Sequence, residues 1–114
     1  MSAVAVLGLG EAGSAIAADL VAAGTRVLGF DPAQPPPEGV QALPTAAEAA
    51  APAEVVLSVN SAAVALEVAE AVAPALGSDH LYADLNTAAP ALKRSMAAAV
   101  EPRGAAFADV ALME

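Results

Sequence analysis

The chain of 114 residues is large enough for one domain and one core, and it buries roughly two-thirds of its unfolded surface. Thirteen acidic residues against four basic ones give a formal charge of −9 with no basic cluster, which excludes nucleic acid and anionic membrane surfaces as partners. The absence of cysteine excludes disulfides and thiolate chemistry, and with a single histidine there is no metal constellation.

Ala3-Val4-Ala5-Val6-Leu7 reads as a buried strand, and Gly8-Leu9-Gly10-Glu11-Ala12-Gly13 follows it directly. Glycines recur by chance in loops, but a G-x-G-x-x-G placed between a strand and a helix is a phosphate cradle. Gly8 permits the tight turn, Gly10 lets a pyrophosphate approach the backbone, and Gly13 lets the helix lie close to the strand. Free N–H groups in the first helical turn then meet the anion. Glu11 is read as a solvated first-turn acid. The helix is predicted over Ala12 to Ala23, with Ile16 and Leu20 inward, Asp19 outward and Gly24 at C′.

Thr25 to Phe30 reads as the next strand, and Asp31 closes it 31 − 8 = 23 residues after the first glycine. Dinucleotide folds place an acid about 20 residues on, where it accepts both hydroxyls of the adenosine ribose. A 2′-phosphate would face that carboxylate, so NAD is favoured over NADP; Arg26, the nearest cation, opens the strand at its far end. Pro32, Pro35, Pro36 and Pro37 then leave two readings open, a stiff wall beside the adenine or a plain spacer.

Thr45-Ala46-Ala47-Glu48 fits a capping box for a short helix ended by Pro52. Glu54 to Val59 is predicted as a central strand. Ser61 caps a helix whose inner stripe is Val64, Val68 and Val72, with Glu67 and Glu70 outward and Pro74 and Gly77 ending it. His80 to Leu85 is a further strand, with His80 on the surface and Tyr82 in the core. Asn86-Thr87-Ala88-Ala89-Pro90 leads into a helix that begins near Ala88 and turns Leu92, Met96 and Val100 inward. Asn86 and Thr87 either cap that helix or touch a substrate, and Asp84 poses the same question. Lys93, the only lysine, is read as a solvated surface charge. The last strand is Ala105 to Val110, with Phe107 in the core. The alternation of strands and helices predicts a doubly wound parallel sheet in the α/β class, with no internal repeat and one domain over residues 1–114.

Four segments together resemble the amino-terminal domain of the beta-hydroxyacid dehydrogenase family, which includes 3-hydroxyisobutyrate and 6-phosphogluconate dehydrogenases. They are Gly8 to Ala17, Phe30-Asp31, Val55 to Asn60, and Asp84-Leu85-Asn86-Thr87-Ala88-Ala89-Pro90 with Gly104 to Val110 after it. The resemblance implies a Rossmann-type NAD-binding domain in which Val59 and Asn60 line the cofactor. It also implies that Thr87 reaches the nicotinamide end and that Asn86, where the family has serine, joins Thr87 at the substrate carboxylate. The family's general acid and base is a lysine in a Gly-x-x-Gly-x-x-Lys-x-x-x-Asn segment of a second, all-helical domain. This chain has no such segment, so no catalytic residue is expected in it. General base catalysis is worth about 10²–10⁴-fold, and the chain is expected to bind cofactor and turn over poorly, as the cofactor part of a longer oxidoreductase acting on a small hydroxyacid. Two other readings stand beside this one: a nucleotide-sensing module without chemistry, and a reductase of imines or other carbonyl analogues on the same scaffold.

Hydrophobic residues make up 58% of the chain against a usual range of about 45–50%. The surplus, partly alanine, implies an apolar face covered by the family's carboxy-terminal helical domain or by a second copy in a homodimer. The first cation is Arg26, so no basic leader is expected, and Asp19 interrupts the longest apolar run before it reaches the length of a bilayer span. A cytoplasmic protein is expected.

Overall fold

The structure is a computed structural model and describes residues 2–110. Six parallel strands form one sheet in the order β3-β2-β1-β4-β5-β6. They are β1 (Ala3–Leu7), β2 (Arg26–Phe30), β3 (Gln41–Ala42), β4 (Val55–Ser58), β5 (Leu81–Asp84) and β6 (Ala106–Asp109). Four helices connect them: α1 (Glu11–Ala22), α2 (Ala46–Ala50), α3 (Ala62–Val72) and α4 (Pro90–Val100). The chain runs outward from β1 to β3, then crosses back to β4, so the strand order reverses between β1 and β4. In open α/β sheets ligands bind outside the carboxyl ends of the strands at that reversal.

Strand alternation divides the core in two. Ala5, Leu7, Leu28, Val56 and Tyr82 face α2, α3 and α4, while Val6, Val27, Val59 and Ala83 face α1. The helices meet the sheet mainly through alanine: Ala17, Ala49, Ala50, Ala65 and Ala69 are all fully buried. Ile16 and Leu20 pack beneath α1 as the spacing predicts, Asp19 is exposed, and Gly24 takes a φ of +86° past the helix end. Met96 and Val100 are fully buried on α4, with Leu92 packed beside them.

Several expectations shift. On α3 the buried stripe is Ala65, Ala69 and Val72, and Val64 is 38% exposed. Val72 is inward as the spacing predicts and Val68 packs half-buried at the edge of the core, but Ala65 and Ala69, which a search for valines overlooks, seat the helix on the sheet. Ser61 holds the N-cap position of α3 without a side-chain cap bond, whereas Thr45 Oγ1 accepts from the Glu48 amide at 3.1 Å, as the capping box requires. Helix α4 starts at Pro90 with Ala89 as N-cap, so neither Asn86 nor Thr87 caps it. Strand β3 has no counterpart in the sequence reading, because two exposed residues carry no periodicity. It pairs with Leu28 and Gly29 after Val40 packs against the bare Cα of Gly29.

His80 is not a free surface residue. Its Nδ1 accepts from the Gly77 amide at 3.0 Å, which leaves the proton on Nε2 to reach the Ala50 and Ala51 carbonyls at the end of α2, at 3.2 and 3.1 Å. Tyr82 is fully buried and its ring lies 6.2 Å from half-buried Phe107, nearly parallel. Burial pushes the Tyr82 hydroxyl up to about 12, opposed by the nearby Ser58 hydroxyl and aided by the Asp84 charge. The Tyr82 Oη finds no hydrogen-bond partner among the described residues. A buried unpaired hydroxyl costs about 1–3 kcal/mol. Tyr82→Phe is therefore expected to raise the melting temperature by several degrees, and a fall in calorimetric Tm would show that the hydroxyl is satisfied in solution.

Candidate dinucleotide site

At the reversal point three strand ends and one helix start meet. Gly8 has a φ of +108°, and a Cβ there would stand 2.0 Å from the Val59 carbonyl oxygen. A Cβ on Gly13 would stand 1.8 Å from the Gly8 carbonyl oxygen. Both glycines thus permit backbone to lie on backbone. Gly10 differs: a Cβ there meets nothing within 4 Å, so no protein atom requires a glycine at this position.

Gly10 is also the N-cap of α1 and contributes no side-chain bond. The neighbouring amides are used inside the protein, Gly8 to Phe30 at 2.9 Å, Leu9 to Asp31 Oδ2 at 2.8 Å and Ser14 to Gly10 at 2.8 Å. The amides of Gly10, Glu11, Ala12 and Gly13 find no acceptor among the described residues. Four unpaired donors at a helix start, beside a face that carries no Cβ, fit a diphosphate. The dinucleotide therefore matches the residues present.

Asp31 anchors the loop from the side. Its Oδ2 accepts from the Leu9 amide, and its Oδ1 accepts from Ala33 and Gln34, each at 2.8 Å. Partial burial raises its pKa, but the three amide donors outweigh that and hold it below 3.8. A carboxylate offers about four acceptor positions, so one remains, on Oδ2, for a ribose hydroxyl. The cleft beside it, of about 510 Å³, is lined by Phe30, Asp31 and Pro32 from the end of β2, by Thr45 and Ala46 from the start of α2, and by Val64, Glu67 and Val68 from α3. A second cleft of about 270 Å³ holds Gly10, Glu11, Ala12, Gly13 and Val59, and the two share Gly8, Asp31 and Asn60. Of the four loop prolines only Pro32 lines these walls. Thr45 and the α3 residues were not legible as site residues, since their sequence signal is that of a cap and an amphipathic helix.

Asn86 and Thr87 part company. Thr87 is exposed and lines neither cleft. Asn86 is 5% exposed, with Oδ1 accepting from the Asn60 amide at 2.6 Å and Nδ2 donating to Asp84 Oδ1 at 2.7 Å and Asn60 Oδ1 at 2.9 Å. Both its protons are committed, which makes it a support for Asn60. Lys93 is the larger surprise. Instead of standing in solvent it is 8% exposed, with Nζ 2.7 Å from Asp84 Oδ2 and 2.6 Å from Asp109 Oδ1. Burial disfavours its charge, but the Asp109 and Asp84 carboxylates outweigh burial and hold its pKa above the ordinary lysine value. Its position one turn into α4, on the same side as Met96 and Val100, was the sequence signal that it points inward.

A parallel sheet with this strand order, a glycine cradle at the reversal and an acid at the end of β2 defines a dinucleotide-binding domain. Residues 3–112 match the family model for the NAD binding domain of 6-phosphogluconate dehydrogenase, and the chain belongs to that family. Among solved structures, the 3-hydroxyisobutyrate dehydrogenase of Mycobacterium tuberculosis, determined with L-serine, superposes with a TM-score of 0.89 at 31% identity, over 100% of this chain and 41% of that one. An imine reductase variant of Myxococcus stipitatus in complex with NAD+ gives 0.87 at 22% identity, over 100% of this chain and 42% of that one. The Myxococcus stipitatus imine reductase in complex with NADP+ gives 0.86 at 20%, over 98% and 41%. No curated protein matches the sequence. The chain thus spans about two-fifths of the length of these relatives.

Substitutions in the cradle should separate folding from binding. Gly13→Ala forces backbone apart and is expected to lower Tm sharply. Gly10→Ala should change stability by no more than the roughly 0.5 kcal/mol typical of open surface sites while weakening NADH binding at least tenfold. Titration followed by NADH fluorescence or calorimetry decides, and undiminished affinity in Gly10→Ala would remove the diphosphate from this loop. Because folding lowers the Asp31 pKa, its contribution to stability is present above the unfolded carboxylate value and is lost as pH falls through the folded one. The Tm gap between the parent and Asp31→Asn should therefore be full at pH 7 and close in strong acid.

Proposed function

We propose that the chain binds NAD in the paired clefts and serves as the cofactor part of an oxidoreductase acting on a small hydroxyacid. One observation carries the reading: four unpaired amides surround a glycine whose bare face is required by no protein atom, within reach of a carboxylate held ionised. When bound, the nicotinamide ring supplies the hydride acceptor or donor. The first-turn amides of α1 would neutralise the diphosphate, and the free position on Asp31 Oδ2 would take one ribose hydroxyl. Pro32 and Val64 offer apolar surface for adenine in the larger cleft.

Two carboxylates, Asp31 and Glu67, line that cleft and oppose an additional phosphate, which supports NAD over NADP. The hydroxyacid class rests on the 31% identity to the mycobacterial dehydrogenase, whereas the imine reductases share the fold at 20–22%. Thr87, exposed ahead of α4, is the residue we assign to the substrate side. Lys93 is a protonated cation between two carboxylates and is no base, so the proton acceptor for an alcohol is expected from a helical domain outside this chain. The acidic, cysteine-free composition supports a cytoplasmic setting.

Thermal shift with each nucleotide tests the reading. A ligand at 100 times its dissociation constant adds about 2.7 kcal/mol. NADH is expected to raise Tm by several degrees, and NADPH by less. A larger NADPH shift overturns the role given to Asp31; no shift with either overturns the site.

A further inference from the structure

Besides the Tyr82 hydroxyl, four polar or charged side chains are buried among the described residues, Ser58, Asp84, Asn86 and Lys93, and all four belong to one cluster under α4 at the ends of β4 and β5. Such concentration is expensive unless every member is paired, and a buried polar network specifies one arrangement when it is.

The cluster has a direction. Asp84 is flanked by the Lys93 ammonium at 2.7 Å and is thereby held as an acceptor only. Its Oδ1 faces Asn86, so the Asn86 side chain must present its NH₂ there. That choice turns Asn86 Oδ1 to the Asn60 amide, a donor only, at 2.6 Å. The second Asn86 proton goes to Asn60 Oδ1, which also accepts from Ser58 Oγ at 3.2 Å, so Asn60 Nδ2 is left to donate to the Leu7 carbonyl at 3.2 Å. Leu7 immediately precedes Gly8, and Asn60 lines both clefts. Asn86 is thus oriented from both ends, by the Asp84 carboxylate and by the Asn60 N–H.

We propose that Lys93 is a positioning residue for the dinucleotide: its charge, relayed by Asp84 and the amide orientation of Asn86, fixes Asn60 and the end of β1 in the wall of the cleft. The inference rests on the reading that this cleft takes a nicotinamide dinucleotide. Without the cation, the Asp84 carboxylate loses the partner that fixes its Oδ1 toward Asn86. Asn86 is then held from the Asn60 side alone, and the 2.6 Å bond from the Asn60 amide loosens.

The test uses the full chain and two variants. Lys93→Met removes the cation alone. Lys93→Met with Asp84→Asn removes both charges, leaves no unpaired buried carboxylate, and keeps the protein folded if the single variant fails. In ¹H–¹⁵N spectra of the ligand-free chain, the Asn60 amide proton should lie downfield in the parent, as a short bond requires, and move upfield or split in a variant. NADH affinity should fall about fivefold to tenfold, the worth of one hydrogen bond. An unmoved Asn60 resonance in a folded variant overturns the relay, whatever happens to Tm. A moved resonance with unchanged NADH affinity overturns its role in binding. If the parent binds no NADH, the reading of the site falls while the Asn60 resonance still reports on the relay.

Discussion

The site depends on a contact that only a glycine allows, in which the carbonyl of Val59 occupies the space where residue 8 would carry a side chain. This brings the end of β4 against the turn that leaves β1, and Gly13 closes the other side by bringing α1 onto the same turn. The first amides of α1 lack intrahelical acceptors, as at any helix start, and the wedged turn sets them along the smaller cleft.

Electrostatics explain how an acidic chain can hold an acidic ligand. A charge of −9 repels a dinucleotide at long range, where screening also weakens the field. Attraction must come from fixed dipoles a few ångströms away, which cost no reorganisation when the ligand arrives. The one lysine is turned inward between Asp84 and Asp109. The cation serves the order of the wall and leaves the attraction to backbone amides.

Much of this was legible in the sequence, for physical reasons that can be named. Strand β1, the glycine turn and Asp31 are local patterns in which each residue's role depends on near neighbours, and the structure places them at one point. The capping box at Thr45 and the inward face of α4 are of the same kind. What stayed hidden was set by distant partners. Lys93 reads as a surface charge until two carboxylates from different strands are seen beside it, and His80 until the end of α2 and the Gly77 amide are seen around it. On α3 two of the three fully buried side chains are alanines, and alanine carries too little hydrophobic contrast to mark a face.

That last property has a consequence for how such a domain can change. Where helices rest on a sheet through methyl groups, almost every replacement enlarges the residue, and enlargement in a full interior costs about 1–3 kcal/mol. The layer between α3 and the sheet thus has room to lose nothing and little room to gain. Divergence is channelled outward, to the solvent side of the helices and the rims of the clefts, so the shape of the cavity can drift while the spacing of the scaffold beneath it stays the same.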